Sequence, residues 1–164
     1  MNGRLIRTLL DLLRLRSGPQ DLPAAAGLTL VLAGAYVLQG LAADRALDGP
    51  DSGPRSLVAI TVQFAVIVLL LNARRLSARI PQTLSALAGT GFVFGLLSLA
   101  LLTQVERGQP QPGLATAYLG LFAWSLAVDA HIYRQALSTK MSFGFLVAVL
   151  IFGANFIILR AVFG

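Results

Sequence analysis

Asp129 is the only acidic residue that falls inside a long apolar run, where hydrocarbon gives an ionised carboxylate no solvation, so it is a functional candidate by default. It lies roughly one turn from the end of its run, on the helix side that carries Tyr118, Ser125 and Ile132, with Tyr133 one turn further on. A carboxyl in that position can relay protons or hold a cation. The blander chemistry is a structural ion pair with Arg74, Arg75, Arg79 or Arg134 at the interface, and that pairing is the expectation. His131 is the only histidine, so a metal site has too few ligands, and the residue is expected to be wet at the membrane border.

A second set of polar side chains emerges when depth is counted along the helices. Tyr36, Gln63, Ser98 and Asn155 each fall about 10 Å below the outer boundary at 1.5 Å per residue, with Gln39 and Tyr118 somewhat shallower. Unpaired amides in hydrocarbon cost several kcal/mol, so Gln63 and Asn155 should face inward and find partners. The layer is either a small polar pocket or constriction, or a set of interhelical hydrogen bonds that fix helix rotation; the second is expected. No G-x-S-x-G, H-E-x-x-H, Walker A or G-x-G-x-x-G pattern occurs. There is no cysteine, which removes thiolate metal sites and cysteine nucleophiles. The expectation is a non-enzymatic chain with no catalytic residue, metal or cofactor.

The elements that must position these groups are membrane spans. With 56% hydrophobic and 12% charged residues over 164 positions, the chain has too little polar surface for a soluble globule. Five apolar runs have roughly the length that a helix needs to cross a bilayer core, about 20 residues. They are placed at about 23–43, 56–72, 81–104, 113–131 and 143–162. The fold class is therefore all-α, a polytopic five-helix transmembrane bundle over residues 18–164. Asp44, Arg45, Asp48, Gly49, Pro50, Asp51, Gly53, Pro54 and Arg55 read as a solvated loop after the first span, and Glu106, Arg107, Gly108, Pro110 and Pro112 as a turn after the third. Residues 1–17 form an amphipathic helix, Arg4, Arg7, Asp11 and Arg14 on one stripe and Leu5, Ile6, Leu9, Leu12 and Leu13 on another. It either lies in the interface with its arginines on anionic headgroups or packs on the ends of the spans or on a partner protein.

Packing faces are read from small residues, because spans associate where backbones can approach closely. In the third span Leu84, Ala88, Gly91, Gly95, Ser98 and Leu102 share one stripe, which makes it the central helix. Its opposite stripe (Ala86, Thr90, Val93, Phe94, Leu97, Leu101) is assigned to lipid. In the fourth span Gly113, Ala117, Gly120, Trp124, Ala127 and His131 repeat the spacing, and the third and fourth spans are expected to pack together. The fifth span sets Gly144, Ala148, Ile151 and Asn155 on one face.

Net charge +6 in such a chain marks cytoplasmic loops and anionic lipid, not nucleic acid. Placing the amino terminus inside puts Arg4, Arg7, Arg14, Arg16, Arg74, Arg75, Arg79, Arg134 and Lys140 in the cytoplasm and leaves Arg45, Arg55, Arg107 and Arg160 outside, with the carboxyl terminus periplasmic in a bacterial inner membrane. Five spans with short loops, entered through Asp21-Leu22-Pro23 behind a cytosolic amino-terminal segment, resemble the YIP family of Ypt-interacting membrane proteins and their bacterial relatives. That resemblance implies a membrane-organising or partner-binding protein and supplies no catalytic residue. The expected role is a scaffold or accessory subunit in contact with lipid and with other membrane subunits or copies of itself. The alternative is a small oligomeric transporter or channel using Asp129 or the polar layer.

Overall fold

The structure, a computed structural model, describes residues 2–48, 54–106 and 108–164; Gly49, Pro50, Asp51 and Gly53 of the first loop and Arg107 of the later turn lie outside the described residues. The described residues form six α-helices and no strand: α1 Asn2–Leu13, α2 Ala26–Asp48, α3 Arg55–Ala73, α4 Ile80–Leu102, α5 Pro112–Ala136 and α6 Met141–Phe163. Helices α2 to α6 are each long and apolar enough to cross a membrane. The chain is an all-α integral membrane protein of the multi-pass kind. The α3–α4 and α5–α6 turns meet at one end of the bundle, here the amino-terminal end, where α1 also packs. The α2–α3 and α4–α5 connections share the opposite end.

Two spans, α2 and α5, continue well past their expected carboxyl ends, and near each of these ends a polar side chain from another element caps a helix terminus. Helix α2 continues through Asp44 and Arg45, expected in the loop. The Asp44 carboxylate accepts the Ser56 backbone N–H at 2.9 Å and the Ser56 hydroxyl at 2.8 Å, satisfying a donor that the start of α3 leaves orphaned. Helix α5 continues past His131 to Ala136, where the Arg79 guanidinium donates to the Ala136 carbonyl at 2.9 Å and to the Ser138 hydroxyl at 2.6 Å. A cation at a helix carboxyl end also suits its dipole.

Helix α4 is the central element. Thr83 and then Ser85, Ala86, Leu87, Ala88, Gly89 and Thr90 in unbroken succession are buried, so this half of the helix has protein on every side. This corrects the assignment of Ala86 and Thr90 to lipid. Both are small enough to lie under neighbouring helices, and the Thr90 hydroxyl is satisfied by the Ala86 carbonyl at 2.8 Å. Leu97, further along the same stripe, does face outward.

The fourth span is also corrected. Helix α5 touches α4, but Gly113, Ala117, Gly120 and Trp124 are all exposed, and a β-carbon at Gly113 or Gly120 would meet nothing. Helix α5 packs instead along its carboxyl-terminal part, where Val128, Ala130, His131, Ile132, Tyr133 and Ala136 are buried around the helix. There Gly144 of α6 sits directly on the Ala130 carbonyl oxygen, so α6 is held at backbone contact.

Helix α1 lies against the bundle and has three sectors. Leu5, Leu9 and Leu12 point inward, with Leu12 fully buried and Leu9 covering Gly89 of α4. Ile6 and Leu10 remain exposed on a second sector, and Arg4, Arg7 and Arg14 are exposed on a third. The carboxyl end of α1 is tied down by α5: the Trp124 indole N–H donates to the Leu13 carbonyl at 2.9 Å. That carbonyl is one of the four that a helix end leaves unpaired.

Candidate functional site

The pair α2 and α4 builds the site. Near the amino-terminal end the Thr29 hydroxyl donates to the Pro81 carbonyl at 3.0 Å and stands 2.9 Å from the Ser85 hydroxyl, pinning the register of the two helices. About two and three turns further on, Tyr36 and Gln39 of α2 lie across Gly91 and Gly95 of α4. A β-carbon at Gly91 would stand 2.6 Å from Tyr36 Cζ, and one at Gly95 2.8 Å from Gln39 Cδ. The glycines are needed for these two side chains to fit, which is the close approach that the small stripe of the third span called for, with α2 as the partner in place of α5.

Across from this pair, Gln63 of α3 joins the carboxyl of α5 to a phenol. Its Nε2 donates to Asp129 Oδ2 at 3.2 Å and to Tyr133 Oη at 2.9 Å. Tyr133 is fully buried, so its hydroxyl depends on this bond. The ion pair expected for Asp129 is not what forms. Its hydrogen-bond partner is a neutral amide, Arg79 caps α5 instead, and the Arg74 guanidinium lies 5.5 Å over the Phe143 ring. The physical reason is direction: Asp129 points into the bundle toward α3, while these arginines sit in the turn beyond the helix ends.

A cavity of about 310 Å³ reaches the Asp129 carboxyl from the opposite end of the bundle. Its mouth lies between Leu47, Ser56 and Leu102 at the ends of α2, α3 and α4. Gln39, Ser98 and Gly95 line the middle, and Tyr36, Gln63 and Asp129 the floor. By the helical rise, Gln63 lies about 12 Å from the start of α3, near the middle of the span. A second chamber of about 150 Å³, toward α6, shares Tyr36, Gln63, Ser125 and Asp129 with the first and is lined beyond them by Tyr133 and Asn155. Asn155 Oδ1 is buried with no hydrogen-bond partner. Space this large and lined with polar groups suits water.

The structure thus merges what the sequence presents as two constellations. Tyr36, Gln63 and Ser98 come together as a layer, Asn155 reaches it through the second chamber, and Asp129, placed near a border by residue counting, forms its floor. Asn155 faces inward as expected but its carbonyl oxygen finds no partner. Tyr118 does not join; it is partly exposed in an outer groove with Leu101 and Val105. Ser56 at the mouth is missed, its only signal being its position at the start of a span. His131 is buried, not wet. Its Nδ1 accepts from Arg134 Nε at 3.3 Å, which leaves Nε2 to donate to the Ser17 carbonyl at 2.9 Å. Comparison with protein families, with curated proteins and with solved structures finds no match for this chain.

Proposed function

We propose that this protein binds a small cation, or a small solute that carries one, in the α2–α3–α4 cavity, and that it works as a non-enzymatic unit of a small transporter or channel. The supporting observation is the convergence of that cavity on Asp129, whose hydrogen-bond partner is a neutral amide. A carboxylate in a low-dielectric site attracts a cation far more strongly than one in water. Gln39, Ser98 and Tyr36 supply hydroxyl and amide groups along the way, as a site needs if it is to replace part of a hydration shell. The test is flux into liposomes holding the purified protein, with protons, alkali cations and small alkylammonium ions as the trial solutes. Flux that is present in the wild type and lost in Asp129→Asn supports the proposal; no difference between Asp129→Asn and wild type for any of these solutes would sink it.

A second reading keeps the chain as a scaffold or accessory subunit, and one observation favours it. The small residues Gly113, Ala117 and Gly120 in the first half of α5 are exposed, as are Leu119 and Trp124, a surface on which another span can pack closely. The resemblance to the YIP family fits this reading. For sidedness, the arginine asymmetry supports an inner-membrane chain with the amino terminus in the cytoplasm and the carboxyl terminus in the periplasm. Cysteines placed at Gln109 and Ser77, both exposed, should then be labelled and protected respectively when an impermeant thiol reagent is added to whole cells; the reverse pattern inverts the topology.

A further inference from the structure

The amino-terminal helix makes a second site, away from the cavity, where it crosses the start of α2. An apolar groove of about 690 Å³ runs between Leu5 of α1 and Leu22, Pro23 and Leu28 leading into α2. This volume is in the range of small-molecule sites, about 300–1,000 Å³. The outer side of α2 just beyond the groove presents Leu30 and Val31, both more than two-thirds exposed, so the groove continues into surface that belongs in lipid. At its other margin Arg4, Thr8 and Asp21 are shared with a polar recess of about 540 Å³ that adds Arg7, Asp11 and Ser17.

The charge in this recess decides the ligand. Read as a stripe of arginines, α1 suits any anionic surface. Folded against the 3-10 turn Pro19–Asp21, however, α1 gains a second carboxylate, so that Arg4 and Arg7 share the recess with Asp21 and with Asp11 of their own stripe. Asp21 is held there, its Oδ2 accepting the Gly18 N–H at 2.8 Å, and Ser17 donates its hydroxyl to the Thr8 carbonyl at 3.2 Å, closing the recess onto α1. Two guanidinium groups beside two carboxylates complement a zwitterion. Phosphate is matched by the arginine forks, and a primary ammonium by carboxylate acceptors.

We infer that the groove and recess together bind one aminophospholipid, with an acyl chain along Leu5, Leu22 and Leu28, the phosphate on Arg4 and Arg7, and the ethanolamine ammonium on Asp11 and Asp21. A choline headgroup has no N–H for the carboxylates, and a glycerol headgroup brings no cation to them, so both fit less well.

The test is native mass spectrometry of the full-length protein, delipidated in detergent and titrated separately with phosphatidylethanolamine, phosphatidylcholine and phosphatidylglycerol. The wild type should retain one phosphatidylethanolamine, bound about tenfold more tightly than either other lipid, the effect of one charge-assisted hydrogen bond. Asp11→Asn and Asp21→Asn should erase the preference for ethanolamine over choline. Arg4→Gln should weaken all three lipids alike, and Leu28→Trp should block the groove while a melting curve confirms the fold. Equal retention of the three lipids by the wild type, tightest binding of phosphatidylglycerol, or an unchanged ethanolamine preference in both aspartate variants would overturn the inference.

Discussion

Helices α4 and α5 carry the same small-residue spacing and use it in opposite ways. Gly91 and Gly95 of α4 lie under Tyr36 and Gln39 of α2, whereas Gly113 and Gly120 of α5 open onto empty space. A small stripe therefore defines where a neighbour could come close, not whether one does. What decides is the opposing surface. Helix α2 offers two long side chains that fill the trough and also line a polar cavity, so the contact gains both packing and a place for polar groups. On α5 the buried part is the carboxyl-terminal end, where Val128, Ile132 and Tyr133 fill the space between neighbouring helices. Gly144 of α6 lets that end close to backbone contact. The amino-terminal half of α5, which carries Gly113 and Gly120, is left for lipid or a partner.

This contrast can be broken with four side chains, read as thermal stability in detergent. Gly144→Leu should be the most damaging, because even a β-carbon at this position would collide with the Ala130 carbonyl oxygen and with backbone that cannot swing aside. The expected loss is at or above the upper end of the usual overpacking range, about 3 kcal/mol. A tolerated Gly144→Leu would mean that α5 and α6 do not pack as described.

Next come Ala86→Leu and Gly95→Leu, both on α4. Ala86 is fully buried with protein on all sides, so its replacement should cost about 2–3 kcal/mol. Gly95→Leu meets mainly the Gln39 amide, a flexible end that can move, and should cost less, about 1–2 kcal/mol. It should also fill the middle of the cavity and so reduce cation flux more than Ala86→Leu does. Equal stability of wild type and Ala86→Leu would restore that stripe to the lipid-facing side. The smallest effect belongs to Gly120→Leu, within about 0.5 kcal/mol of wild type for a chain studied alone. A large destabilisation there would show that the outward stripe of α5 is covered by another span, and would sharpen the case for a scaffold or self-associating subunit.

Much of the architecture was legible in the residues. Apolar runs of bilayer length admit only helices, because backbone polar groups in hydrocarbon must be satisfied within the segment, so the all-α multi-pass fold follows from composition and run length. Burial of a central third span followed from its small residues, and the inward turn of Gln63 from the cost of an unpaired amide. Helix ends were less legible, since Asp44 at the end of α2 caps the start of α3 and Arg79 caps the end of α5, relations that no local window contains.

Which helix meets which, and therefore what the site is, was left to tertiary structure. Five amphipathically weak helices have several faces of nearly equal apolarity, so hydrophobicity barely ranks the pairings, and side-chain shape across each interface makes the choice. That choice put α2 in place of α5 on the glycines of α4, turned Asp129 toward Gln63 and away from the arginines, and joined a carboxyl counted as peripheral to a polar layer counted as central. It likewise brought Asp21 to the stripe that already held Asp11 beside Arg4 and Arg7, converting a mostly basic stripe into a balanced recess. Residue types and their depth along each helix were encoded locally; the partners they acquired depend on the rotation of every helix about its own axis, which is a property of the packed bundle alone.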